Sequence, residues 1–132
     1  MADTFDIPAW IILFLGLYAL AAGVGELRAP GGWAAMLDDF EEQAGLRFVT
    51  GFVALALGAA VYLANPWRPD DWLAILVSVV GGVMVIEGAL LLASGDRFIR
   101  FSRRLIGNAS KGWAGFAALL GVALILTAFT RL

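Results

Sequence analysis

The stretch Trp72–Ala93, WLAILVSVVGGVMVIEGALLLA, decides the fold. An α-helix crosses a hydrocarbon core of ~30 Å with roughly 20 apolar residues, and this run is long enough to do so. Its one ionisable residue is Glu87, the only charge inside any strongly apolar run of the chain. A carboxylate at that depth costs a few kcal/mol by insertion scales, so it requires a partner or a task.

Three further apolar runs surround this one. The first spans about Ile7 to Gly25, with Pro8 suited to a first-turn position where its missing N–H has no helical partner. The second covers about Phe48 to Ala64, roughly 17 residues and at the short limit for a crossing. The last opens at Trp113 and runs to about Phe129. Trp10, Trp67 and Trp72 fall at span ends, where indoles settle among headgroups.

The totals agree with a membrane chain. Of 132 residues, 61% are hydrophobic and 15% charged, and mean hydropathy is +0.87. Soluble domains carry about 45–50% apolar and ~25% charged residues. The length suits one domain, residues 1–132. A net charge of −2 gives no surface for nucleic acid. Cysteine and histidine are both missing, which removes disulfides, thiolate and histidine catalysis, and the usual zinc, haem and iron–sulfur ligands. No enzymatic activity, cofactor or metal is therefore expected. MADTFD is acidic where a secretory signal is basic, so the first run is read as a retained span.

Two charged segments separate the spans. In Trp33–Gly45, Trp33, Met36, Leu37 and Phe40 repeat at i, i+3, i+4 and i+7, while Asp38, Asp39, Glu41 and Glu42 cover the other side. After Ser94-Gly95-Asp96, a break is expected and then a second amphipathic helix. Phe98, Phe101 and Leu105 form its apolar side, beside Arg97, Arg100, Arg103 and Arg104. Both segments read as interfacial helices. Their opposite charges either face each other, closing a monomer or joining protomers, or are solvated separately with the basic helix on anionic lipid.

Topology follows from the cations. Arg28, Arg47, Arg97, Arg100, Arg103, Arg104 and Lys111 lie in the loops after spans one and three, against Arg68 and Arg131 on the other side. The positive-inside rule then puts both interfacial helices in the cytoplasm and both termini outside.

The halves also resemble one another. At an offset of about 65, Gly16 matches Gly81, Gly23 matches Gly88, Trp33 matches Phe98 and Met36 matches Phe101. Two parallel repeats, about 7–64 and 72–129, are expected. Glu87 aligns with Ala22 and lies outside that plan. Without a hydrophobic drive between helices in lipid, contacts should follow small residues. Gly16, Gly23, Gly58, Gly81, Gly82, Gly88 and Gly121 are the candidates, in small-xxx-small pairs such as Ala19/Gly23 and Ser78/Gly82.

The motifs LGLYALAAGVGEL, MLDDF, LALGAAVYLANPW and GGVMVIEGALLL resemble those of a group of small four-span bacterial inner-membrane proteins, over about residues 15 to 92. That group brings no assigned activity. Four short spans with one membrane glutamate are also similar to the small multidrug resistance exporters. Their glutamate lies in the first span, whose interior here has none.

The expected architecture is an all-α, polytopic four-helix bundle of two repeats in a bacterial cytoplasmic membrane. The leading functional expectation is a non-enzymatic scaffold or accessory subunit, oligomeric or bound to another membrane protein. The alternative is a small proton- or cation-coupled transporter or channel using Glu87. A structural reading of Glu87 has it protonated, or bonded to Thr50, Arg47 or a backbone carbonyl.

Overall fold

The computed structural model describes residues 6–106 and 109–132. It is all-helical over these residues: α1 (Ile7–Arg28), α2 (Gly32–Glu42), α3 (Ala44–Ala64), α4 (Trp72–Ile106) and α5 (Ser110–Phe129). Four of them, α1, α3, α4 and α5, are long and apolar enough to cross a membrane.

Several boundaries differ from expectation. α1 runs to Arg28, so Glu26 is still helical. α3 starts at Ala44 and reaches 21 residues, so this span is not short. The break expected at Ser94-Gly95-Asp96 is present within α4, where Ser94 alone leaves helical geometry (φ −145°, ψ 51°). The arginine segment therefore follows the third span across a kink. Adjacent Ser94 and Gly95 are a pair at which sharp kinks occur.

Local chemistry explains the starts. Asp6 caps α1, its Oδ1 accepting from the Ala9 N–H at 3.2 Å, with Pro8 in the first turn. Asp71 precedes α4 and accepts from the Leu73 N–H at 3.1 Å. Gly31 takes φ +107° at the turn into α2, a left-handed conformation that favours glycine.

Packing joins elements that are distant along the chain. α1 lies along α5, and α3 lies along α4; α1 and α4 touch more lightly. Both main seams are made by glycine backbone. A Cβ on Gly121 would stand 2.5 Å from the Leu20 nitrogen and 2.6 Å from the Gly16 oxygen. One on Gly16 would stand 2.8 Å from the Gly121 oxygen. The second seam repeats this reciprocity: Gly58 against Gly81, and Gly51 against Gly88, where a Cβ on Gly88 would meet the Gly51 oxygen at 2.5 Å. Gly23 meets Ala114 and Ala118 in the same manner. These approaches direct Cα hydrogens at facing carbonyls, a weak attraction that recurs between closely packed helices.

The contacts recur every seven residues, as Gly16 and Gly23, Gly51 and Gly58, Gly81 and Gly88, Ala114 and Gly121. The four-residue pairs expected from sequence do not describe them. Gly82 is the clear correction for packing within the chain: a Cβ there would meet nothing within 4 Å among the described residues.

Burial is inverted relative to a soluble protein. Small residues fill the seams, while Phe14 is 61%, Leu63 81% and Leu119 73% exposed. Bulky apolar side chains over the whole outer face are what lipid tails accept and water does not. Two inner clusters close the ends. Ala9, Ile12, Leu73, Val77 and Ala128 form one, and Leu37, Leu91 and Ile99 the other, beneath α2 and the bend.

Candidate functional site

Among the described residues the carboxylates and cations gather at the two ends of the bundle, with Glu87 alone between them. At one end α2 is held by charges that it does not itself supply. Glu26 is buried, 2% exposed, and its carboxylate accepts from the Gly31 and Trp33 N–H groups at 3.3 and 3.1 Å. Gly31 offers no side chain to cap α2, so Glu26 does so from the end of α1. Arg47 of α3 holds the opposite end, donating through Nη1 to the Phe40 and Glu41 carbonyls at 2.6 and 2.9 Å. A carboxylate at the N-terminus and a guanidinium at the C-terminus both complement the helix dipole. The Arg47 stem in turn lies against Gly95, where a Cβ would come within 2.9 Å of its Cδ. Gly95 thus couples the bend of α4 to α2.

Only part of the expected acidic–basic pairing forms between α2 and the arginine segment. Arg103 donates to Asp38 Oδ1 at 2.8 Å and to Glu41 Oε1 at 2.9 Å. Arg100 instead pairs with Asp96 one turn earlier on its own helix, at 3.4 Å. Asp39, Glu42, Arg97 and Arg104 are exposed, and among the described residues none of them forms an ion pair. The apolar faces also differ from expectation. On α2, Leu37 is buried while Met36 is exposed. Past the bend, Ile99 faces the bundle with Phe98 and Ile106 against its cluster, whereas Phe101 and Leu105 are outward.

The arginines line open clefts. Arg97, Arg100, Phe101 and Arg104 surround one of about 340 Å³. Leu90, Ser94, Arg97, Phe98 and Phe101 line a second of about 320 Å³, running from the bend back towards the span.

At the other end, Arg131 gathers two helix starts. Its Nε donates to Asp6 Oδ2 at 2.9 Å, while Nη1 and Nη2 donate to the two oxygens of Asp71 at 2.9 and 2.8 Å. The guanidinium beside Asp71 holds that carboxyl down at about 2, well under the usual carboxylate range, against the opposing effect of partial burial. The two carboxylates raise the Arg131 pKa. Nearby, buried Asn65 donates through Nδ2 to the Ala74 carbonyl and to Ser78 Oγ, both at 2.8 Å, tying the end of α3 to the start of α4.

Glu87 belongs to neither end. It sits on α4 about two turns before the Ser94 bend and is exposed, with Val83 and Ile86, 54% and 60% exposed, close by on the same helix. Among the described residues the expected bonds to Thr50, Arg47 or a backbone carbonyl do not form, and Arg47 is committed to α2. Its carboxylate stands on the outer apolar surface of the bundle. Among the described residues, no group of three or more Asp or Glu is placed to hold a metal ion.

Glu26, Asp6 and Arg131 carry contacts that sequence reasoning did not assign. Asp6 had a detectable signal, an acid immediately before a Pro-containing first turn. No protein-family model, curated protein or solved structure matches the chain.

Proposed function

We propose that the protein is a non-enzymatic scaffold or accessory subunit that works as an oligomer or within a larger membrane complex. One observation carries this reading: Glu87 is exposed on the outer apolar face of a helix of membrane-spanning length. Against lipid tails a carboxyl there has no hydrogen-bond partner, which is costly. Helix association that covers this face with a second copy or another membrane protein supplies a partner. Chemical crosslinking in native membranes tests the reading. Dimers, higher species or a co-purifying membrane protein are expected; monomer alone, with nothing co-purifying, overturns it.

The same exposure favours a second reading, a small proton- or cation-coupled transporter or channel whose pathway forms between subunits around Glu87. Flux through reconstituted vesicles that is abolished in Glu87→Gln supports it, and unchanged flux removes Glu87 from the mechanism.

In this account the halves are parallel repeats. The seven-residue glycine spacing shared by α1 and α4 supports this. So do Asp6 and Asp71, which stand 65 positions apart, precede corresponding helices and share Arg131. Each repeat's first span then packs on the second span of the other. Location is proposed as a bacterial cytoplasmic membrane, with α2 and the arginine segment cytoplasmic as interfacial helices and both termini periplasmic. The side rich in Arg and Lys supports that orientation.

A further inference from the structure

We propose that the bend of α4 is a binding site for an anionic phospholipid, with the phosphate held by Arg97, Arg100 and Arg104 and an acyl chain lying along Leu90, Phe98 and Phe101. The inference starts from the charge left over once internal pairs are assigned. Arg103 is neutralised by Asp38 and Glu41, and Arg100 shares only an exposed 3.4 Å contact with Asp96. Arg97 and Arg104 have no acidic partner among the described residues. Positions 97, 100 and 104 follow helical spacing, and their side chains line one cleft of about 340 Å³ with Phe101. A planar guanidinium binds phosphate oxygens in pairs, which suits a phosphodiester better than it suits water.

The second half of the argument is shape. Arg97 and Phe101 also belong to the neighbouring cleft, which Leu90, Ser94 and Phe98 complete. Two clefts sharing a wall, one cationic and one mainly apolar, match a molecule with an anionic head and a hydrocarbon tail. The Ser94 bend puts their junction where the apolar run stops and the arginines begin, the depth of a headgroup. Phe101, 60% exposed, lies outside the buried cluster beneath the bend, and a lipid chain covers it. Free phosphate would use the arginines alone and leave the apolar cleft without a function.

Native mass spectrometry of the purified full chain, released from nanodiscs of phosphatidylglycerol and phosphatidylcholine in equal amounts, tests the site. Phosphatidylglycerol adducts are expected to survive in preference to phosphatidylcholine. Arg97→Ala with Arg104→Ala should lower their retention by about fivefold per arginine, the factor expected for one cation near an anionic surface. The Arg→Lys pair, which keeps the charge if the Ala pair fails to fold, should retain more than the Ala pair but less than the native chain, since an ammonium cannot reproduce the fork. Phe101→Ser should reduce phosphatidylglycerol retention with all arginines present, and millimolar inorganic phosphate should not displace the lipid. Equal retention of the two lipids, retention indifferent to the arginines or to Phe101, or displacement by phosphate each overturns the proposal. These outcomes are independent of oligomeric state, so the site and the scaffold reading fail separately.

Discussion

Arg131 and Asp71, 60 residues apart in the chain, meet in a two-pronged contact of 2.9 and 2.8 Å. Because Asp6 joins from the other side at 2.9 Å, one guanidinium ties the starts of α1 and α4 to the end of α5. Removing it leaves two partly buried carboxylates facing each other. Arg131→Ala should destabilise the bundle by about 2 kcal/mol in a thermal melt in detergent. Arg131→Lys should recover only part of this, since an ammonium cannot reproduce the fork.

Acid should act on the same contact. The folded-state pKa of Asp71, about 2, lies below its ordinary value of 3.8, so the stabilisation is full above that ordinary value and is lost as pH falls through 4 towards 2. The shift corresponds to about 2 kcal/mol. A melting temperature measured from pH 6 to pH 2 should drop across this window, and the drop should be smaller in Asp71→Asn.

The helix seams make a contrasting pair of predictions. Gly121→Ala forces a methyl into the Leu20 and Gly16 backbone and should cost about 1–3 kcal/mol as α1 and α5 separate. Gly82→Ala enters open space and should be neutral, or stabilising by up to ~1 kcal/mol through helix propensity. Thermal melts of the two variants check the ordering.

Glu26 has a local task. Glu26→Ala should leave the Gly31 and Trp33 N–H groups without their acceptor, at about 1–3 kcal/mol. Amide exchange should accelerate from Gly31 through Leu37, while the glycine seams keep their protection. Arg47→Ala should do the same from the other end of α2 by freeing the Phe40 and Glu41 carbonyls.

The parts of this fold legible in the sequence are those set by composition over a whole segment. Four apolar runs, Pro8 in a first turn and a discontinuity at Ser94 all follow from local chemistry. What escaped depends on rotation about a helix axis or on partners far along the chain. Gly16 and Gly23 recur at seven residues, yet the four-residue pattern is equally present in the letters; only the facing helix selects between them. Gly82 shows the consequence, since it neighbours Gly81 but points away from α3. Glu26 reads as a span-ending charge because nothing local reveals that Gly31 leaves α2 uncapped. Asp6 and Arg131 are 125 residues apart, beyond any sequence spacing rule. Glu87 was identifiable as exceptional, but its outward direction required knowing which side of α4 the Gly81 and Gly88 seam occupies.

The exposure of Glu87 bears most weight in the functional account, and the chain offers a clean way to test it because it contains no cysteine. A single cysteine at Ile86 or Val83, beside Glu87 on the outer face of α4, should form a disulfide or a short bifunctional crosslink to a second copy or a membrane partner in native membranes. A cysteine at Phe14, equally exposed on α1, serves as the reference. Crosslinking that is strong at Ile86 or Val83, weak at Phe14, and reduced by Glu87→Leu is the predicted result. Equal, background-level crosslinking at all three positions would show that Glu87 faces lipid, and would contradict the account.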